Sequence, residues 1–228
     1  MQNCNLPNRD WLTKIAKKLA TFHSLQVPVS RDVKHDYHFF DNQIELIKNK
    51  DYTAKLVPEF NSIDFDAEFA WIKETIDKFH SENVVPIVFS HNDLHCGNML
   101  VPDDPRRDDI MFVDVEFSGY KYRGTDFAVF FNSFMMKFDA NEPSTYTIVF
   151  DQYPDEDTQL FFVTEYLKEK KRLQPDNFDE AIDNAERILQ ETNHYNLYRM
   201  MCDTLWCLNA GPKRNNLGIL VSLLKECY

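Results

Sequence analysis

The sequence predicts an α+β domain that is mostly helical, with a short β-hairpin at its centre. Three observations carry this reading. Apolar residues recur at helical spacing over most of the chain. Between residues 86 and 114, short apolar runs are broken instead by a stretch dense in turn formers. Across all 228 residues, no internal repeat, low-complexity tract or linker separates a second domain. The 19 Phe supply large apolar side chains for a single core.

The elements follow in order. Trp11, Ile15, Leu19 and Phe22, behind Asp10, predict a first helix that Pro28 closes. Phe65, Phe69, Ile72, Ile76 and Phe79 form a longer apolar stripe. Pro86-Ile87-Val88-Phe89-Ser90 reads as a strand, Asn98-Met99-Leu100-Val101 as a second and Ile110-Met111-Phe112-Val113-Asp114 as a third. The turn-rich run Pro102–Asp109 joins the last two. Paired antiparallel, they bring Asn98 opposite Asp114. The polar break at 139–145 predicts a loop between helices. Stripes over 156–173, 176–192, 195–209 and 216–226 predict further helices whose apolar faces are core.

The chemistry concentrates in the loop Ser90-His91-Asn92-Asp93-Leu94-His95-Cys96-Gly97-Asn98. It spells His-x-Asp-x-x-x-x-Asn, a spacing used for phosphoryl transfer, where the Asp takes a hydroxyl proton and the Asn holds Mg²⁺. Asp93 is thus the candidate base, with Asn98 and Asp114 as metal ligands. A hard cation suits few protein oxygens completed by substrate phosphates. Glu116 falls on the strand face of Asp114 by pleat alternation and is a further metal or water contact. His91 is expected to brace the loop. Asp126 is either a helix N-cap or an acid that holds the catalytic-loop backbone from below. His91, His95 and Cys96 do not predict zinc, because the i, i+4 spacing has no helical meaning in a loop.

Other classes are excluded or unsupported. A formal net charge of −12 argues against nucleic acid, whose phosphates need clustered Lys and Arg. No apolar run reaches the roughly 18 residues of a membrane span. The cysteines, at 4, 96, 202, 207 and 227, are scattered without a Cys-x-x-Cys pair and read as reduced thiols of a cytoplasmic protein.

The segment Asp114-Val115-Glu116-Phe117 followed by Tyr120-Lys121-Tyr122-Arg123-Gly124-Thr125-Asp126 resembles the choline/ethanolamine kinase family, whose pattern is Asp-x-Glu-Tyr, then Tyr-x-Tyr-Arg-Gly-x-Asp. The loop His91-Asn92-Asp93-Leu94, the run Ala16–His23 with Pro28 behind it, and Leu205-Trp206 resemble it too. The resemblance covers about residue 10 to 225. It implies a protein-kinase-like C-terminal lobe over 1–228 and an ATP- and Mg²⁺-dependent phosphotransferase. Its acceptor would be choline or ethanolamine, at the first step of phosphatidylcholine or phosphatidylethanolamine synthesis.

The resemblance also implies a headgroup pocket walled by Phe117, Phe138 and Trp206. The chain departs from the family there: Ser133 stands where an acid is usual, and Asn209 where a second Trp is usual. The 5 Gly are spaced too far apart for a Gly-rich phosphate loop, so the resemblance implies that the N-terminal lobe is absent. Low activity of the chain alone, and a homodimer or a heterodimer with a full-length relative, are the matching expectations. Two other readings fit the same letters. One is a catalytically silent, kinase-derived binding module; the other is a kinase for a different small hydroxylated substrate.

Overall fold

A computed structural model describes residues 8–33, 41–42, 44–46, 64–102, 109–138 and 146–210. Helix α1 (Arg9–His23) starts at Asn8, whose side chain accepts from the Trp11 amide. The cap thus falls two residues ahead of Asp10, which becomes a first-turn acid. Helix α2 (Phe65–Glu82) is capped in the same way by Asp64. Strands β1 (Ile87–Ser90), β2 (Met99–Leu100), β3 (Met111–Phe112) and β4 (Gly119–Tyr122) follow. Next come helix α3 (Gly124–Ser133), strands β5 (Met136–Phe138) and β6 (Tyr146–Ile148), helix α4 (Glu156–Leu173) and helix α5 (Ala185–Ala210).

Three antiparallel pairs form: β1 with β4, β2 with β3, and β5 with β6. The β2–β3 hairpin is shorter than the sequence predicts and its register is one residue off. Met99 opposes Phe112, so Asn98 lies opposite Val113, whose amide donates to the Asn98 carbonyl at 3.0 Å. Ser90 opposes Gly119 at the site end of the β1–β4 pair. Helix α5 runs unbroken where two stripes predict two helices. No Pro or Gly interrupts Glu191-Thr192-Asn193-His194, so polar residues change the face without ending the helix. Its predicted forerunner at 176–184 is a short turn that begins at Pro175. The 139–145 loop and the 216–226 stripe lie outside the described residues.

All ten residues of α3 are buried. A helix enclosed on every side belongs at the centre of a fold, and α3 packs on α5 while α1 packs on α4. Phe127, Phe130, Phe131 and Phe162 form the core with Leu12, Leu19, Val163, Tyr166 and Ile188. Phe130 and Phe162 stack at 4.5 Å, and Phe127 meets Tyr166 edge-on at 4.9 Å.

Gly124 sets the α3–α5 spacing. A Cβ there would stand 2.8 Å from the Glu191 carbonyl carbon and 2.7 Å from the Tyr195 ring. Backbone cannot rotate away, so Gly124→Ala is expected to cost about 1–3 kcal/mol through overpacking. A melting temperature unchanged from wild type would show that the helices separate freely.

Candidate active site

Asp126 holds the catalytic loop in place. Fully buried, its carboxylate accepts the His91 amide at 2.8 Å and the Asn92 amide at 2.7 Å. Although it lies in the first turn of α3, it bonds the loop rather than capping its own helix. The second oxygen of this carboxylate also pairs with His23 Nε2 at 3.0 Å, and His23 Nδ1 meets the Tyr166 hydroxyl at 2.9 Å. Burial lowers the His23 pKa, against a smaller upward pull from Asp126. His23 is therefore neutral: it donates to Asp126 and accepts from Tyr166, whose own proton burial holds well above the ordinary range. The sequence reading did not assign His23 a role. Its one signal was that it closes the family-like Ala16–His23 run.

His91 is buried too, its ring beside Phe22 and Phe112. Its Nδ1 accepts the Asp93 amide at 3.3 Å, and its Nε2 donates to the Val113 carbonyl at 2.9 Å. One ring thus ties the catalytic loop to the hairpin end. With the Asp126 bonds, this fixes Asn92 in a left-handed conformation, φ 72°. Asn tolerates that region better than most residues.

Asp93 is reached from three sides. Asn98 Nδ2 donates to its carboxylate at 3.1 Å and to its backbone carbonyl at 2.9 Å. His95 Nε2 lies 3.5 Å from the same carboxylate oxygen. Arg199 of α5 lies 3.7 Å from the other. Burial pushes the Asp93 carboxyl upward, but His95, Arg199 and Asn98 together hold it below the usual carboxylate value. Arg199 also donates to the Asn92 carbonyl at 3.3 Å and forks onto Asp203, at 3.1 Å and 2.9 Å. Burial raises the Asp203 pKa and Arg199 only partly offsets this. The sequence reading passed over both residues; the signal was their i, i+4 spacing one turn before Trp206.

The two nitrogen bonds of Asn98 leave its Oδ1 without a protein partner among the described residues. Asn98 is buried, whereas Asp114 is exposed, with no side-chain cap bond, at φ 63° and ψ 55°. A neutral amide oxygen and a carboxylate at one end of the hairpin, Asp114 standing one residue past the position opposite Asn98, are hard donors of the kind that Mg²⁺ accepts alongside substrate phosphates. Glu116 does not share a strand face with Asp114. Residues Val115–Phe117 form a 3-10 turn, because the left-handed Asp114 ends the strand and pleat alternation no longer applies. Among the described residues, no three His, Cys, Asp or Glu side chains converge as a metal cluster.

Phe117 is exposed, at 59%. Phe138 lies in β5 and Trp206 in α5, but their side chains fall outside what is described. Ser133 is buried, its hydroxyl turned onto the Phe130 carbonyl. Cys202 is a free thiol that burial pushes up to about 12. Cys96 is disulfide-bonded, against the reading of reduced thiols throughout. No helix among the described residues is long and apolar enough to cross a membrane.

Comparison with known proteins gives a consistent picture. The sequence model of the choline/ethanolamine kinase family matches residues 1–219. Rat and human choline/ethanolamine kinases are each 28% identical over 211 residues, an alignment covering 90% of this chain and 52% of theirs. A probable ethanolamine kinase of Arabidopsis thaliana is 28% identical over 199 residues, covering 86% and 48%. The chain therefore spans about half the length of the curated relatives it matches. Among solved structures, a Plasmodium vivax ethanolamine kinase superposes with a TM-score of 0.69 at 21% identity, over 97% of this chain and 60% of that one. A Cryptosporidium parvum choline kinase gives 0.61 at 15% identity, over 97% and 64%. Both likenesses are of fold, and the fold is protein-kinase-like.

Proposed function

We propose, from the premise that this chain belongs to the choline/ethanolamine kinase family, that it carries the acceptor and metal side of an ATP- and Mg²⁺-dependent amino-alcohol kinase. The single observation behind this is the Asp93 carboxylate held by Asn98 Nδ2, with Asp114 one residue past the hairpin position opposite Asn98. Residues 1–228 form one such domain in this reading. Its acceptor is choline or ethanolamine, its setting the cytoplasm, and its product enters phosphatidylcholine or phosphatidylethanolamine synthesis.

Asp93 orients the acceptor hydroxyl and takes its proton as the oxygen attacks the terminal phosphorus of ATP and the bond from that phosphorus to ADP breaks. A carboxylate kept ionised by His95, Arg199 and Asn98 is ready for that proton. Asn98 and Asp114 would hold Mg²⁺, which would neutralise charge on the terminal phosphates. Asp126 and His91 keep the loop backbone fixed, so that Asp93 and Asn98 keep their spacing. The resemblance assigns Phe117, Phe138 and Trp206 to the headgroup side, and Glu116 would support the metal through water.

The test is ATP-dependent formation of phosphoethanolamine or phosphocholine, with Mg²⁺ titrated. Asp114→Ala is expected to raise the half-saturating Mg²⁺ concentration by about tenfold or more, at least what loss of a supporting partner costs. Glu116→Ala should shift it far less. Equal shifts would reverse the ligand assignment, and no phosphorylated amino alcohol under any Mg²⁺ condition would overturn the function.

A further inference from the structure

We propose that Asp203 receives the protonated amine of the acceptor while Arg199 fastens it beside Asp93, so that this site takes a primary amino alcohol in preference to a quaternary one. The inference rests on the acceptor-site reading above and narrows its substrate class.

Geometry comes first. One nitrogen of Arg199, Nη2, lies 2.9 Å from the Asp203 carboxylate and 3.7 Å from that of Asp93. The two acids therefore stand on either side of a single guanidinium nitrogen. An amino alcohol with two carbons between its heteroatoms holds oxygen and nitrogen about 3–4 Å apart. Its hydroxyl can sit on Asp93 while its nitrogen reaches Asp203. Access allows this: Asp93, Arg199, His95 and Asp203 each keep between 24% and 35% of their side chain open to solvent. These are polar groups in one partly exposed cluster, short of full burial.

Charge points the same way. Asp93 and Asp203 carry two negative charges against the one positive charge of Arg199. With both acids ionised, an ammonium balances the set. Each carboxylate has about four lone-pair positions, and the Arg199 fork uses two of those on Asp203, leaving acceptors for N–H donors. A primary ammonium has three such donors. A quaternary one has none, and it would cover those lone pairs without replacing their water. It would depend on ring faces instead.

The experiment is a titration of the 1–228 protein with ethanolamine and with choline, followed by protein NMR shifts, for wild type and Asp203→Asn. It reads binding and needs no turnover. Wild type is expected to bind ethanolamine about tenfold or more tightly than choline, the worth of a charge-assisted hydrogen bond. Asp203→Asn should erase most of that difference by weakening ethanolamine and leaving choline nearly unchanged, so the choline arm reports that the fold survives. Choline binding as tightly as ethanolamine to wild type would overturn the Asp203 assignment and leave the acceptor site standing, and this comparison needs no variant. Equal weakening of both amines in Asp203→Asn would also overturn it. Binding of neither amine to wild type would overturn the acceptor-site reading and this inference together.

Discussion

Asp93→Asn is expected to cut turnover by about 10²–10⁴-fold, the range of a positioned general base. The substitution keeps size and shape. Its amide oxygen can still accept from Asn98 Nδ2, now at 3.1 Å from the Asp93 carboxylate, and from His95. What is lost is a site for the acceptor proton. The loss should fall on kcat, with the KM for Mg²⁺–ATP within a few-fold of wild type, because Asn98 Oδ1 and Asp114, the proposed metal donors, are untouched. Steady-state kinetics with varied amino alcohol and varied nucleotide separate the two constants. A near-wild-type kcat would remove Asp93 from the chemistry, and an effect confined to nucleotide KM would make it a metal-side residue.

Arg123→Ala is expected to lower stability by about 3–5 kcal/mol, the cost of leaving buried charges uncompensated. For a chain of this size that corresponds to a fall in Tm of roughly 6–20 °C. Arg123 is completely buried. It forks onto Glu191 at 3.0 Å and 2.6 Å, pairs with Asp183 at 2.5 Å and donates to the Ile182 carbonyl at 3.0 Å. Lys170 pairs with Asp183 as well. Burial pushes the Glu191 carboxyl up, and Arg123 pulls it back only in part. Without the guanidinium, Glu191 stays in the core with its principal partner gone. Replacing Arg123 and Glu191 together by Met should recover part of the loss, since the stranded Glu191 charge is removed while Asp183 keeps Lys170. Calorimetric melting of the single and double variants is the measurement. A loss below about 1 kcal/mol for Arg123→Ala would place the pair among weak surface bridges.

Three residues explain why Arg123-Gly124-Thr125-Asp126 can be recognised in sequence as a unit. Arg123 anchors α5, Gly124 lets α5 approach and Asp126 turns the other way to hold the loop. Three roles thus fall within four residues. The catalytic loop was legible for the same reason. His91, Asp93 and Asn98 bond one another within five residues or through the adjoining hairpin.

Local patterns determined a good deal by themselves. The apolar stripes of α1, α2 and α4 follow i, i+3 and i+4 spacing, which depends only on neighbouring residues. The hairpin follows from two short apolar runs across a turn. Tertiary structure decided what spacing does not encode. Asp126 could have capped its own helix; it bonds amides 34 and 35 residues away because the β1–β4 pair brings the loop over α3. The strand after Asp114 was lost to a left-handed turn, which moved Glu116 off the predicted face. Arg199 and Asp203 read as an ordinary helical ion pair, and only the packing of α5 against α3 and the loop sets Arg199 beside Asn92, 107 residues earlier. A charge's partner across such a distance depends on which helix faces meet. That is a property of the packed core, and no periodicity in the chain carries it.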